Sequence, residues 1–341
     1  MPVSVGRDTV GATMRYHLAP TEPSLAAEGF GLFRDAYLRA RAANPLLPEL
    51  DADHEARLQR RVERAFAYGG IAAWRGGSLR GFMIAGPSFE FRGLVASLVP
   101  EFGHAVAAGE ETDLVGLLYA AGAERLVREG TQLHLIGHFA ADFATTSALF
   151  ELGFGAVVRE QLRDLSDVAL GDDARVVHRA RLERVEHVFH ADAWRDVAAL
   201  AAEHAAFYRA SPVFVRKDAA LDEALGELEA HRVDGDQLFV YREGAEMLAY
   251  LIVGRCAGGS EGRLLEGTST AQVRSAFTVP AARRHGIGAA LLQQAIAWAR
   301  AQGFERLFVE HETANLRGGA FWRRHFAPYL LFSLRYVDRT L

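Results

Sequence analysis

The stretch Phe277-Thr278-Val279-Pro280-Ala281-Ala282-Arg283-Arg284-His285-Gly286-Ile287-Gly288 joins a strand-like run to a long Ala/Leu/Gln-rich segment. Downstream, Ile287, Leu291 and Ala295 fall on one stripe at helical spacing, with Leu292, Ile296 and Ala299 beside it and Gln293, Gln294 and Arg300 outward. This pattern predicts a helix, which Gly303 stops. A strand, a glycine turn and a helix start leave backbone N–H groups unpaired, at a place where the helix dipole also favours negative charge. The expected ligand therefore carries phosphate.

Outward from that stretch, the chain reads as two alternating α/β units. From Met14 to Arg163 the pattern predicts helices at Leu25–Ala43 and Asp53–Ala67, separated by the Pro-rich break Asn44–Pro48. Strands follow at Ile71–Trp74, Leu79–Ala85 and Leu94–Val99, then a helix from about Asp113 to Glu129, a strand at Leu133–Gly137, a short helix at Ala144–Leu152 and a closing strand. After the polar stretch Asp164–Arg179 the order restarts. A strand at Val185–Phe189 leads to a helix over Asp192–Arg209 capped by Asp192, and to a second helix over Asp218–His231. Gln237–Tyr241 and Met247–Val253 form paired strands across Glu243-Gly244, and the Gly/Ser-rich loop Ala257–Gly262 precedes the strand Gln272–Val279. Leu133–His138 aligns with Leu307–His311, Leu149–Phe154 with Phe321–Phe326, Val99-Pro100 with Val279-Pro280, and Gly130 with Gly303. The chain is thus expected to be a tandem repeat of one fold, with domains over 1–170 and 180–341.

Bulk composition narrows the functions open to it. The 341 residues suffice for two domains with cores of their own, and half of them are apolar. With a net charge of −5 and Lys217 as the only lysine, no basic surface for nucleic acid is expected. Cys256 is the only cysteine, which removes internal disulfides and cysteine-cluster zinc sites and suits a reducing cytoplasm. The longest apolar run, Leu114–Ala123, is far shorter than the roughly 20 residues that span a bilayer, and no leader pattern opens the chain. Neither secretion nor membrane insertion is expected.

Within the second unit, Arg283-Arg284-His285-Gly286-Ile287-Gly288 fits Arg/Gln-x-x-Gly-x-Gly/Ala and resembles the GNAT superfamily of acyl-CoA N-acyltransferases. The neighbours share the resemblance: the strand ending Val279-Pro280, the strand Leu307–Glu310, and Asn315 followed by Phe321-Trp322 and Phe326. It implies a mixed α/β fold in which a mostly antiparallel, twisted sheet has splayed central strands flanked by helices. It also implies acetyl-CoA as co-substrate, its pyrophosphate held by Arg283, Arg284, His285, Gly286, Ile287, Gly288 and Ala289. Phe277, Thr278 and Val279 would supply the strand edge that polarises the thioester carbonyl, with Asn315, Phe321 and Trp322 on the cofactor side. The implied reaction is direct acetyl transfer to the amine of a small, amino-acid-like molecule, and the implied alternative is an inactive acyl-CoA sensor.

The chain departs from the family in one respect. Many members carry a tyrosine on the short helix as acid for the leaving thiolate, whereas here Phe321 or Trp322 stands there; Tyr329 or Tyr336 could substitute. A thiol of pKa about 8.5 can also leave without an acid. Glu310, His311 and Glu312 lie at or just past the fifth strand, and Glu310 and His311 are candidates for the base that deprotonates the amine. No metal is expected: His311-Glu312 lacks the second histidine of a zinc helix, Asn315 standing in its place, and His134 and His138 have no third ligand. Leu291 replaces the third glycine of a dinucleotide turn.

In the first unit the phosphate turn is missing. Pro100 and Gly130 are 30 positions apart, against 23 for Pro280 and Gly303, and the interval carries Glu101 and the acids Glu110-Glu111. This half is expected to bind no coenzyme A, acting as scaffold or as one wall of the substrate cleft.

Overall fold

A computed structural model describes residues 16–165, 179–259, 261–338 and 340. The proposed boundary near residues 170–180 and most of the polar stretch before it lie outside the described residues. The N-terminal half runs β1 (His17–Pro20), α1 (Ala26–Ala43), α2 (Ala52–Phe66), β2 (Ile71–Arg75), β3 (Ser78–Met83), β4 (Phe89–Phe91), β5 (Leu94–Val99), β6 (His104–Val106), α3 (Glu111–Arg128), β7 (Leu133–Phe139), α4 (Phe143–Glu151) and β8 (Gly155–Asp164). The C-terminal half runs α5 (Arg179–Leu182), β9 (Val185–Val188), α6 (Ala191–Asp196), α7 (Ala198–Phe207), α8 (Leu221–Val233), β10 (Gln237–Glu243), β11 (Glu246–Arg255), β12 (Thr270–Thr278), α9 (Ile287–Ala301), β13 (Arg306–Glu312), α10 (Leu316–His325) and β14 (Ala327–Tyr336). From its second strand on, each half follows one plan: strands, a long helix, a strand, a short helix and a closing strand.

Local chemistry sets most of the helix starts. Asp51 caps α2 by accepting from the His54 N–H, Asp142 caps α4 through the Thr145 N–H, and Asn315 caps α10 through the Gly318 N–H. The helix expected over Asp192–Arg209 is instead two, α6 and α7, meeting at Val197, and the cap position is His190 rather than Asp192.

Two sheets result, of strand order β1-β2-β3-β6 and β4-β5-β7-β14-β8-β13-β12-β11-β10-β9. The second runs unbroken through both halves because the closing strands are exchanged. β14, from the C-terminal half, pairs with β7, while β8, from the N-terminal half, pairs with β13. The two exchanged strands also pair with each other. One core cluster therefore joins Phe33, Tyr37 and Phe82 to Leu264, Leu265, Phe308 and Tyr329 across the halves. Leu264 and Leu265 are fully buried, and each such side chain contributes about 1.5–3 kcal/mol.

Each half also sends a hairpin to the other. The β4–β5 tip presents Arg92, at φ 54°, whose Nη2 donates to both carboxylate oxygens of Glu312 at 2.8 Å. In return the β11–β12 connection brings Arg263 to Glu101 at 3.2 Å and places the Gly262 N–H 3.1 Å from Glu160 Oε1. Arg61 of α2 donates to the Gly258 carbonyl of the same connection at 3.1 Å.

Candidate active site

β12 and β13 are parallel neighbours only from Thr270↔Arg306 to Val273↔Val309. Beyond that point β12 stays on β11 and β13 stays on β8, so the two central strands open like a V. The register of β12 on β11 shifts at Ile252/Val253, leaving Arg274 as an extra residue where the opening starts. The Val279 N–H donates to the Leu248 carbonyl at 2.9 Å, so strand alternation turns Phe277 and Val279 toward β11 and the N–H groups of Ala276 and Thr278 into the opening. Of the three edge residues expected from the sequence, Thr278 alone therefore offers its amide to the gap; Ala276 was missed.

The opening leads into the phosphate-turn candidate. A 3-10 turn over Pro280–Ala282 is followed by Arg283 in extended conformation, Arg284 at φ 67° and Gly286 at φ 78°. Gly286 is the N-cap of α9 and contributes no side chain to cap it. The first N–H to reach back is Ala290, to the Gly286 carbonyl at 3.0 Å, so those of Ile287, Gly288 and Ala289 have no intrahelical acceptor. A left-handed conformation at Arg284 costs about 1–2 kcal/mol, strain of the kind found at ligand-binding turns. These features fit an anion such as a pyrophosphate.

The side chains around the turn sort themselves by distance. A Cβ added to Gly286 would meet Arg181 Nη1 at 3.0 Å, so this α5 residue, absent from the sequence expectation, lies against the turn with Arg284 and His285 exposed beside it. Arg283 points the other way: its Nε donates to the Thr278 carbonyl at 2.9 Å, and its guanidinium lies 4.9 Å from the Phe207 ring centroid. A Cβ on Gly288 would sit 3.6 Å from the Phe321 ring. Phe321 thus faces the turn, whereas Trp322 belongs to the core beneath α9. Asn315 is engaged as the α10 cap.

Alternation along β13 divides the proposed catalytic residues. Leu307 and Val309 lie in the core under α9, whereas Phe308 lies in the core shared between halves, so Glu310 and Glu312 share the Phe308 face and His311 the opposite one. His311 is buried near α10, with Nε2 3.0 Å from Gln161 Oε1 and Nδ1 2.9 Å from the Glu312 carbonyl, both nitrogens occupied. Tyr329, offered from the sequence as an acid, is buried at 2 % exposure behind Glu160, its Oη without a hydrogen bond of good geometry; burial and the nearby Glu160 push its pKa well up. Tyr336 is exposed at the end of β14.

Glu310 is half-buried and surrounded by acids. Burial, then Glu261, Glu160 and Glu312, hold its carboxyl well above the usual range, with Arg263 opposing. On the same side Tyr208, at the end of α7, is pushed up to about 12 by burial and by Glu312, Glu310 and Glu261. His204 stacks on Phe277 with centroids 5.2 Å apart, and its Nδ1 lies 3.1 Å from Tyr250 Oη, which lies 3.0 Å from Ser275 Oγ. Burial, with Lys217 and Arg283, drops its pKa to about 3, so the imidazole is neutral. Tyr208 and His204 come from the helical stretch expected over Asp192–Arg209 and Glu261 from the Gly/Ser-rich loop, where no sequence motif marked them. Cys256 is buried, its thiol pushed up to about 12 by burial, which removes it as a nucleophile at neutral pH.

In the N-terminal half the equivalent place is filled from within. β6 pairs with β3 where the turn would be, and Glu110 stands at the N-cap of α3. Its buried carboxylate accepts from Arg80 Nη2 at 2.6 Å and from Arg75. His134 and His138 pack inside: His134 Nδ1 is 2.9 Å from Tyr119 Oη and His138 Nε2 is 3.2 Å from Ser333 Oγ. Among the described residues no group of three His, Cys, Asp or Glu is placed to hold a metal, and no helix is long and apolar enough to cross a membrane.

A splayed central strand pair that opens onto a glycine turn and an uncapped helix defines the class: the fold is that of the GNAT superfamily. Residues 198–326 match the family model described as the Acetyltransferase (GNAT) family, a match that stops just before the exchanged strand β14. A GCN5-related N-acetyltransferase from Sphaerobacter thermophilus is similar over 95 % of this chain and 96 % of its own, with TM-score 0.55 and 14 % identity. The glucosamine N-acetyltransferase region of a fungal multi-domain β-N-acetylglucosaminidase is similar over 96 % of this chain and 39 % of that one, with TM-score 0.52 and 14 % identity. A tandem GNAT protein from the clavulanic acid biosynthesis pathway aligns over 94 % of this chain and 98 % of its own, with 14 % identity and TM-score 0.46. No curated protein sequence matches.

Proposed function

We propose that this chain is an acetyl-CoA-dependent N-acetyltransferase acting on a small-molecule amine, with one cofactor site, in the C-terminal half. The observation that carries this reading is the V between β12 and β13 ending at Gly286, where the N–H groups of Ile287, Gly288 and Ala289 have no intrahelical acceptor. Those amides hold the pyrophosphate, and Arg284, His285 and Arg181 supply positive charge around it. The thioester supplies the acetyl group: the amine nitrogen bonds to its carbonyl carbon, the C–S bond breaks, and the thiolate leaves. The Thr278 N–H, turned into the gap, favours charge developing on the carbonyl oxygen.

Only the neutral amine is a nucleophile, so a base must take a proton from the ammonium. Glu310 is placed for it, on the face that carries Tyr208 and Glu312, with burial and the neighbouring acids holding its carboxyl above the usual carboxylate range. His311, on the other face with both nitrogens occupied, has no such role. Phe321 packs on the turn without offering a proton, and a thiolate is stable enough to leave alone.

The N-terminal half takes no second cofactor, because β6 runs where the turn would be and the buried Glu110 carboxylate, paired with Arg75 and Arg80, sets an acid at the start of α3. Calorimetry should find one acetyl-CoA per chain, and thiol release should depend on an added amine. Two equivalents bound would overturn the single-site reading. Tight binding with no release across a broad amine panel would leave a sensor instead.

A further inference from the structure

Glu160 is a carboxylate that the reading above leaves unused. It belongs to β8, the strand contributed by the N-terminal half, and lies directly opposite Glu310 of β13. The Thr313 N–H donates to the Val157 carbonyl and the Leu165 N–H to the Glu305 carbonyl, which makes the odd-numbered residues of β13 the hydrogen-bonded ones. Glu310↔Glu160 is consequently a non-hydrogen-bonded pair, where Cα atoms are about 4.5 Å apart and side chains on one face are closest. Glu160 is 1 % exposed. Its Oε1 accepts from the Gly262 N–H at 3.1 Å, while Oε2, beside the Tyr329 hydroxyl, has no hydrogen bond of good geometry. A buried carboxylate oxygen without a donor is costly, and two like charges at this distance oppose each other.

We propose that Glu160 and Glu310 form one carboxylate dyad built across the two halves, in which Glu310 takes the proton from the acceptor ammonium and Glu160 strengthens it as a base. This rests on the acetyltransferase reading above. Glu160 does not touch the acceptor; it is a positioning residue that acts through Glu310. When both are ionised, the pair relieves its repulsion by accepting one proton, and that proton comes from the ammonium nitrogen. The freed nitrogen lone pair bonds to the acetyl carbon and the C–S electrons go to sulfur; the second proton that the acylated nitrogen must lose passes to the thiolate, and the proton on the dyad is released to water, restoring both carboxylates. This removes the need for a tyrosine on α10.

The groups around the dyad are Glu261, Glu312 and Arg263 beside Glu310, with Tyr208 across the cleft, and Glu101, Arg263, Tyr329 and Cys256 around Glu160. Glu312 is paired with Arg92 and Glu101 with Arg263, and Arg263 also faces both members of the dyad. Burial, then Glu101, raises Glu160 to about 8.

The test is Glu160→Gln, which keeps the shape and the Gly262 contact but removes the charge. Two unit charges about 5 Å apart at an effective dielectric of about 20 shift a titration by roughly two pH units. In E160Q the acidic limb of kcat/KM for the amine should move down by about that much, and turnover on the high-pH plateau should fall because the base is weaker. In the free protein, carbon NMR of 13C-labelled glutamate carboxyls should show a two-step titration for the pair in wild type and a single, lower step for Glu310 in E160Q. Glu160→Asp, which retains the charge, should move both readouts back toward wild type. An active wild type whose pH limb and Glu310 titration do not move in E160Q would overturn the dyad and leave the acetyltransferase reading standing. An E310Q variant with full activity would do the same. Absence of amine-dependent thiol release from wild type would instead sink the acetyltransferase reading, and the dyad's role as base with it.

Discussion

The two glycines of the turn respond in opposite directions to one added methyl group. Gly286 is at φ 78°, where an L-residue costs about 1–2 kcal/mol, and its Cβ would push Arg181 Nη1 from 3.0 Å. Gly288 lies inside the first turn of α9, and its Cβ would rest 3.6 Å from Phe321, ordinary van der Waals contact. Ala there should add about 0.5–1 kcal/mol of stability through helix propensity. Cofactor affinity should fall in both, since each methyl stands between the backbone and an approaching phosphate. A charge-assisted hydrogen bond is worth about 1.5–3 kcal/mol, so losing one weakens binding by tenfold or more. The assay is thermal melting of Gly286→Ala and Gly288→Ala beside calorimetric titration with coenzyme A. Lower stability with weaker binding for the first, and higher stability with weaker binding for the second, is the expected signature. If both variants bind coenzyme A as wild type does, the pyrophosphate is not held by this turn, and the placement of the cofactor is wrong.

Two further outcomes follow from the way the halves are joined. Because β8 covers β13 and β14 covers β7, residues 180–341 expressed alone should lack a partner for β13 and fail to give a dispersed NMR spectrum, whereas co-expression with residues 1–170 should restore a soluble complex; a well-folded isolated C-terminal half would refute this. Glu110 is held below its ordinary pKa, chiefly by the hydrogen bond from Arg80, so its contribution to stability is present above the unfolded value and is lost as pH falls through the folded one. Melting temperatures of Glu110→Gln should therefore lie below wild type at neutral pH and converge with it in acid; a gap that stays constant with pH would show that the charge is not what matters.

The C-terminal half was readable because its strands alternate or run apolar and its turn carries glycines where backbone conformation demands them. Gly286 in the left-handed region follows from a local pattern, whereas the choice between Phe321 and Trp322 beside Gly288 does not. The strand exchange was not readable, since nothing in either closing strand says which half it will cover. The same holds for Glu160: in sequence it is one glutamate near the end of a strand, and only the register against β13 sets it opposite Glu310. His311 and Glu310 were indistinguishable as neighbours in sequence. Strand alternation parts them, but knowing which face is the cleft required knowing which cores lie on each side.

Exchange of the closing strands also explains how one half could lose its phosphate turn without losing its place in the molecule. In the N-terminal half, β6 replaces the turn and pairs with β3, Glu110 occupies the start of α3, and Arg263 from the opposite hairpin enters beside Glu101. A strand thus takes the place of the turn, and an acid stands at the start of the helix, where it would repel a phosphate. In the C-terminal half the reciprocal hairpin stops short of the turn and engages Glu312 through Arg92, leaving the N–H groups of Ile287 to Ala289 without intrahelical acceptors. The two hairpins make equivalent crossings with opposite consequences, one closing a site and the other bounding it. The N-terminal half thereby contributes Arg92 and Glu160 to the β13 side of the opening in the C-terminal half.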